Sequence, residues 1–180
     1  MHRSIAILAS FLVLCLAVPA AAEHHEKAAD AETGFLAEFS KDFDGVSKKL
    51  LDLAGATPAE KFSYRPTEEV RTVSEVYIHT ALANFFLAQA LGIEAPEAAS
   101  QDAEKTVTKK EDVIEMLELS QKHVRDAIAQ TDDLEAIVEV FGGERSKRAV
   151  LMIVAGHSHE HLGQSIAYAR SAGVVPPWSR

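Results

Sequence analysis

Cysteine is nearly absent from this sequence, and its scarcity excludes several kinds of site. The one cysteine, Cys15, lies in an apolar run near the N-terminus. A chain with one cysteine forms no internal disulfide and no cysteine-rich metal cluster. Basic residues are also few, because 18 lysines and arginines stand against 27 aspartates and glutamates. A net charge of −9 without a basic cluster argues against nucleic acid as a partner.

The first 22 residues have the features of a secretion signal. Arg3 supplies a positive charge, residues 5–18 form an apolar stretch, and the alanines at 20–22 resemble a cleavage site. The apolar stretch is short for a membrane span. We therefore expect cleavage after Ala22, a mature chain that begins at Glu23, and a secreted protein that resides in the periplasm.

A lipoprotein signal is the alternative for this segment. It would require acylation of Cys15, but the preceding Leu14 is bulkier than the small residue that lipoprotein processing usually needs. Cleavage after Ala22 removes Cys15 and Arg3, so that the net charge changes from −9 to −10. The mature chain then has no thiol that could act as a metal ligand or nucleophile.

Apolar periodicity predicts four helices in the remaining chain. The first, residues 32–54, has a stripe of large apolar residues three or four positions apart: Phe35, Phe39, Phe43, Val46, Leu50 and Leu53. The others are expected over residues 72–91, from residue 108 past residue 128, and over residues 146–172. Capping-box patterns begin the second and third helices, Ser146 caps the fourth, and Gly55 is expected just beyond the first. The sequence predicts an all-α four-helix bundle over residues 34–178, after a flexible lead-in at 23–33.

The segments between these helices are long. Residues 57–71 contain two prolines and are expected to be a connection that Phe62 and Tyr64 anchor to the core. Residues 93–107 are predicted to form a loop. Residues 132–144 are ambiguous, because they fit either a short helical turn or an extended piece closed by two glycines.

Histidines on two predicted helices indicate a metal site. His157 and His161 are four residues apart, so they lie on one face of the fourth helix, and that face begins with apolar residues. His79 lies on a stripe of the second helix that is expected to face inward. Two imidazoles one turn apart can share a metal ion, and a third completes the usual number of protein ligands. The alternative is that one histidine of the fourth helix is a satisfied core residue while the others are solvated, and that His79 is an isolated core histidine.

The remaining histidines are predicted to lie elsewhere. His159 falls on a different face of the fourth helix, His123 is expected at the surface, and His24 and His25 belong to the polar lead-in. Glu75, one turn before His79, is a weak candidate for a general base. The simpler interpretation is that Glu75 only completes the capping box of the second helix.

The order of these motifs resembles the DinB-like (DinB/YfiT) family of metal-binding four-helix bundles. The resemblance depends on one histidine early in the second helix (His79), the segment 157–164 with its His-x-x-x-His and Gly-Gln, the Gly-Val-Val-Pro-Pro at 173–177, and the stretch 64–73. It covers about residues 34–178. One departure is Leu162, where the family often has arginine.

The resemblance implies an up-down-down-up bundle and a divalent metal, zinc or nickel, held by His79, His157 and His161. Relatives include thiol-dependent transferases and isomerases, and others have been labelled metal-dependent hydrolases. We therefore expect a small-molecule substrate and transferase or hydrolase chemistry, although thiol cofactors are scarce outside the cytosol. The alternative is a non-catalytic metal-binding or stress-response module of the periplasm. We expect no nucleic acid and no membrane as partners after signal cleavage, and a homodimer stays open.

Overall fold

The computed structural model describes the backbone of residues 20–179 and the side chains of residues 34–179. The predicted secretion signal therefore falls almost entirely outside the described residues. The elements are α1 Ala20–Ala56, α2 Val73–Ala90, α3 Ala103–Thr106, α4 Lys110–Gln130, β1 Ile137–Val140, β2 Gly143–Ser146 and α5 Lys147–Ser171, with 3₁₀ turns at Ala59–Lys61 and Pro177–Ser179. The four long helices confirm the predicted all-α bundle, and α5 is the fourth predicted helix.

Helix α1 is longer than predicted at both ends. It begins at Ala20, so residues 23–33, expected as a flexible lead-in, have a helical backbone. The segment is rich in alanine and contains no proline or glycine, which favours helix. At the other end the helix includes Gly55 and stops at Ala56. Its last turn is closed by the hydroxyl of Thr57, which donates to the Leu53 carbonyl at 2.7 Å, and not by a left-handed glycine.

The predicted apolar stripe of α1 is the core face of the helix. Phe39, Phe43, Val46, Leu50 and Leu53 are all buried, and Phe35 packs at the edge. The first connection is also as predicted, because Phe62 is buried and Tyr64 packs against the core. These residues hold an irregular segment of two prolines against the bundle.

Contacts of α1 establish the directions of its two neighbours. Along α4 the pairs run in opposite order: Gly55 with Lys110, Ser47 with Gln121 and Asp44 with Arg125. Along α5 they run in the same order: Phe35 with Arg148, Asp42 with His159 and Leu53 with Ala169. Helix α1 is therefore antiparallel to α4 and parallel to α5.

Helix α2 completes the bundle opposite α1. Val73 and Tyr168 line one small cavity, whereas His79, further along α2, meets His157, which is earlier in α5. Helices α2 and α5 are thus antiparallel, and α2 runs parallel to α4, which it contacts through Asn84 and Ser120. The directions are up, down, down and up, as expected. Within residues 20–179, no helix is both long and apolar enough to span a bilayer.

The parallel pair α2 and α4 requires a crossover that returns along the bundle. Residues 91–109 form this crossover, which includes the short helix α3 and its buried Ala103. The capping box predicted at Thr108 does not form, because α4 begins at Lys110 without a side-chain cap. Lys110 instead donates to the carbonyls of Gly55 and Thr57, at 2.7 and 2.8 Å, and joins the ends of two helices.

The ambiguous segment before α5 is a two-stranded antiparallel hairpin. Strand β1 pairs with β2 from Ile137 opposite Ser146 to Val140 opposite Gly143. The turn has Phe141 and Gly142 at positive φ, 55° and 69°, as a tight hairpin turn requires. The extended interpretation is therefore correct. Ser146 then caps α5 by accepting from the Ala149 amide at 3.2 Å, as predicted.

Candidate metal centre

Three imidazoles converge between α2 and α5. The Nε2 atom of His157 lies 3.3 Å from Nε2 of His79 and 3.0 Å from Nε2 of His161. One nitrogen from each of the three residues lies within 4.8 Å of the others, an arrangement that could hold a metal ion. The structure thus brings together the three histidines predicted from the sequence, although His79 and His157 are 78 residues apart along the chain.

The residue at which α2 begins and the antiparallel direction of α5 determine where these rings lie. Thr72 begins α2 with the predicted capping box: its hydroxyl accepts from the Glu75 amide at 3.2 Å, and the Glu75 carboxylate accepts from the Thr72 amide at 2.6 Å. This places His79 two turns into α2. Because α5 is antiparallel to α2, the i, i+4 pair of α5 comes level with His79.

The second ring nitrogen of two of the histidines has a polar partner. Nδ1 of His161 lies 2.8 Å from Oε1 of Gln164, and the Gln164 amide donates to the Tyr168 hydroxyl at 3.3 Å. Nδ1 of His79 lies 3.3 Å from Oε2 of Glu104 on α3. Hydrogen-bond acceptors at Nδ1 favour the tautomer in which Nδ1 carries the proton and Nε2 has a lone pair that can bind a metal ion.

Nδ1 of His157 differs from these two. It is buried and has no hydrogen-bond partner among residues 34–179, whose side chains the structure describes. Burial, followed by the neighbouring His161 and His79, lowers the pKa of His157 to about 4. Burial also lowers the pKa of His79, and Arg71 and His161 add to this effect. Both rings are therefore neutral at pH 7, as metal ligation requires.

The donor set fits a small divalent ion. Nitrogen ligands about 2.0–2.1 Å from zinc in a tetrahedral arrangement lie about 3.3 Å apart. The separation between His79 and His157 is 3.3 Å, that between His157 and His161 is 3.0 Å, and all three nitrogens lie within 4.8 Å of one another, close to that arrangement. Three neutral imidazoles suit zinc or nickel better than magnesium or calcium, which prefer oxygen ligands.

Glu104 and Arg71 belong to this centre and were not anticipated. Arg71 donates from Nε to Oε1 of Glu104 at 2.7 Å, while Oε2 of the same carboxylate faces His79. Glu104 lies in the segment predicted as a loop. No local pattern distinguishes it from other acidic residues there, because only the path of the crossover brings it to His79.

Glu75 has the simpler of its two predicted roles. Its carboxylate is committed to the Thr72 amide and lies 3.6 Å from Arg65. These contacts lower its pKa, with the backbone hydrogen bond from Thr72 as the main cause. A carboxylate so engaged is a helix cap and not a general base.

Two other histidines, His159 and His123, lie away from the triad. His159 is exposed and contacts Asp42 of α1 at 2.9 Å. His123 was predicted to be a surface residue, but it is half-buried, with its ring edge-on to Phe85 at 5.0 Å and Nδ1 3.2 Å from the Leu119 carbonyl. The side chains of His24 and His25 are outside the described residues.

The apolar surroundings of the triad differ slightly from expectation. The α2 stripe that includes His79 was predicted to face inward, yet Phe86 on that stripe is 44% exposed. His79 therefore lies at the border of the core. The most buried face of α2 carries Tyr77, Ile78, Ala81 and Phe85. Leu162, the position at which the sequence departs from the resemblance, is buried in the core.

Comparison with known proteins identifies the family. A family model described as DinB superfamily matches residues 42–165. A DinB-like protein from Bacillus cereus has a TM-score of 0.67 and 20% identity, over 81% of this chain and 95% of its own. A DinB-like protein from Bacillus subtilis has a TM-score of 0.62 and 20% identity, over 77% and 93%. No curated protein sequence matches significantly. The chain belongs to the DinB superfamily.

Proposed function

We propose that this protein binds one divalent metal ion, zinc or nickel, through Nε2 of His79, His157 and His161. The convergence of these three atoms from two helices is the observation that carries the proposal. Gln164 contacts Nδ1 of His161 and Glu104 contacts Nδ1 of His79, and these contacts orient both rings so that Nε2 can bind the ion. Loss of the Glu104 or Gln164 contact would release a ring to rotate away from the shared point.

The proposed site leaves at least one coordination position for another molecule. Among the side-chain-described residues, no cysteine or carboxylate joins the three histidines as a fourth ligand. Three protein ligands and an open position are typical of catalytic metal sites, whereas structural sites have four. When bound there, the ion would supply Lewis-acid activation of a thiol or a water molecule.

From this open position we infer that the protein is a metal-dependent enzyme of the transferase or hydrolase type that acts on a small molecule. One observation favours the alternative, a non-catalytic metal-binding or stress-response module. Both carboxylates near the triad are engaged, Glu75 in the helix cap and Glu104 with His79 and Arg71. Neither is left free to move a proton to or from a substrate.

We further propose that the chain is exported to the periplasm and cleaved after Ala22, with neither nucleic acid nor membrane as a partner of the mature chain. The charge pattern of the first 22 residues and the absence of a basic cluster support this. N-terminal sequencing of the mature protein should begin at Glu23. Acylation at Cys15 would instead establish the lipoprotein alternative, and sedimentation would distinguish a monomer from a homodimer.

Elemental analysis of the periplasmic protein tests the metal proposal. We expect about one zinc or nickel ion per chain in the unmodified protein, and little in the His79→Ala variant. A metal content that is the same in both would contradict the proposed ligands. Addition of small thiols to the cobalt-substituted protein then tests the open position, because a spectrum that no ligand changes would favour a closed, structural site.

A further inference from the structure

The triad is closed at His161 and partly open at His79 and His157. His161 is buried, and its outer nitrogen is occupied by Gln164. His79 is more open, with 29% of its side chain exposed. A ligand can therefore approach the shared point of the three nitrogens past His79 and the residues beside it.

Arg71 stands at this approach and is held there by one edge of its guanidinium. Its Nε donates to Glu104, whose other oxygen faces His79, so one carboxylate fixes both residues. The two terminal Nη atoms of Arg71 have no hydrogen-bond partner within residues 34–179, and the side chain is 41% exposed. The outer edge of the guanidinium is thus available to a further oxygen acceptor.

A bound ion would make the approach to the triad positive. Because the three imidazoles are neutral ligands, they leave the two positive charges of a bound ion uncompensated. With Glu104 already shared between His79 and Arg71, the approach is locally positive in a chain of net charge −9.

We propose that the open position of this centre is an oxyanion site, in which a small carboxylate or phosphate binds the ion through one oxygen and Arg71 through another. The inference rests on the proposed function and adds the chemical class of its ligand. The planar fork of a guanidinium matches two oxygens of such groups, and Glu104 leaves the Nη edge for them. The simpler role for Arg71, a tie between the crossover and the start of α2, requires no anion.

Anion titration of the cobalt-loaded protein tests the proposal. Acetate and, separately, inorganic phosphate should change the visible spectrum, and neutral acetamide should not. Measured at saturating cobalt, Arg71→Met should weaken binding of the preferred anion about tenfold or more. The comparison of acetate with phosphate shows which oxyanion the site prefers.

Arg125→Met is the matched control. Arg125 donates from Nε to Asp44 at 2.7 Å and is 44% exposed, so it resembles Arg71 in charge, contact and exposure, but it joins α1 and α4. Its loss should leave anion binding unchanged. Arg71→Lys keeps the charge without the fork and should bind the anion several-fold more weakly than the unmodified protein.

The outcomes separate this inference from the proposed function. If the unmodified chain fails to bind cobalt, the proposed function fails and the oxyanion site fails with it. If cobalt binds but Arg71→Met and Arg125→Met have equal anion affinities, only the oxyanion site is overturned. A folded Arg71→Lys variant, checked by circular dichroism and cobalt affinity, decides the matter even if Arg71→Met does not fold.

Discussion

Helix α5 carries three histidines within five residues, and its two faces give them different surroundings. His157 and His161 face His79 of α2. The side-chain amide of Gln164 contacts His161, and the Glu104 carboxylate contacts His79. His159 faces α1, where one exposed aspartate is its partner and half of each side chain is exposed. Residue type is the same on both faces. What differs is burial and the number of converging nitrogen atoms, so the comparison separates the candidate metal site from an exposed contact between histidine and aspartate.

Loss of a triad histidine should have the largest effect. His161→Ala removes a buried ligand, and we expect metal affinity to fall by roughly 100-fold or more, because two imidazoles rarely hold an ion. His159→Ala, two residues away, should bind metal as the unmodified protein does. Cobalt titration measures both, and equal losses in the two variants would contradict the assignment of faces.

The second largest effect should come from loss of a carboxylate, and it should differ between Glu104, which contacts His79, and Asp42, which contacts His159. Glu104→Ala removes the acceptor at Nδ1 of His79, so metal affinity should fall about 10–100-fold as the ring loses its orientation. Asp42→Ala removes the corresponding partner of His159 and should leave metal affinity unchanged. The same titration tests this pair. A Glu104→Ala variant with full affinity would limit Glu104 to a structural contact.

The pH dependence of the metal-free protein should also distinguish the faces. Burial lowers the folded-state pKa of His157 to about 4, below its usual value of 6.5, so the unfolded chain binds the proton more readily. Stability from the neutral ring is therefore fully present above about pH 6.5 and is lost as the pH falls towards 4. We expect a loss on the order of 1 kcal/mol after allowance for solvent screening.

Thermal melts of the metal-free protein between pH 7 and 4 measure this loss. His157→Gln should reduce the dependence on pH, because the variant lacks the group that must become charged. His159→Gln should follow the unmodified protein. If His157→Gln melts with an unchanged pH dependence, other groups control acid stability.

The exposed pair should have the smallest effect. A double-mutant cycle on His159 and Asp42 should give a coupling free energy of about 1 kcal/mol or less, because both side chains are half exposed and solvent screens their interaction. Urea unfolding of the metal-free protein measures it. A coupling of several kcal/mol would show that the α1 face of α5 is more than a surface contact.

Local periodicity predicted the parts of the site that belong to single helices. The spacing of His157 and His161, the core stripe of α1 and the caps at Thr72 and Ser146 all depend on residues within a few positions of one another. Such patterns are legible because helix geometry fixes which side chains share a face. His79 was found by the same argument applied to α2.

The parts that sequence could not supply depend on long connections. Glu104 meets His79 and Arg71 only because residues 91–109 fold back along the bundle. The predicted capping box at Thr108 failed for a similar reason, since Lys110 is drawn to the end of α1, 55 residues earlier. The half-buried position of His123 depends on Phe85 of a neighbouring helix. No short window of sequence contains these partners.

The crossover also links the stability of a connection to the occupancy of the site. Residues 91–109 join the rest of the molecule partly through the contacts of Glu104 with His79 and Arg71. Connections of this kind open locally with less free energy than the helices that they join. If Glu104 strengthens metal binding, thermodynamic reciprocity requires the metal to stabilise the closed crossover by the same free energy. Amide hydrogens in this crossover would then exchange more slowly in the metal-loaded protein, even though none of its residues is a ligand.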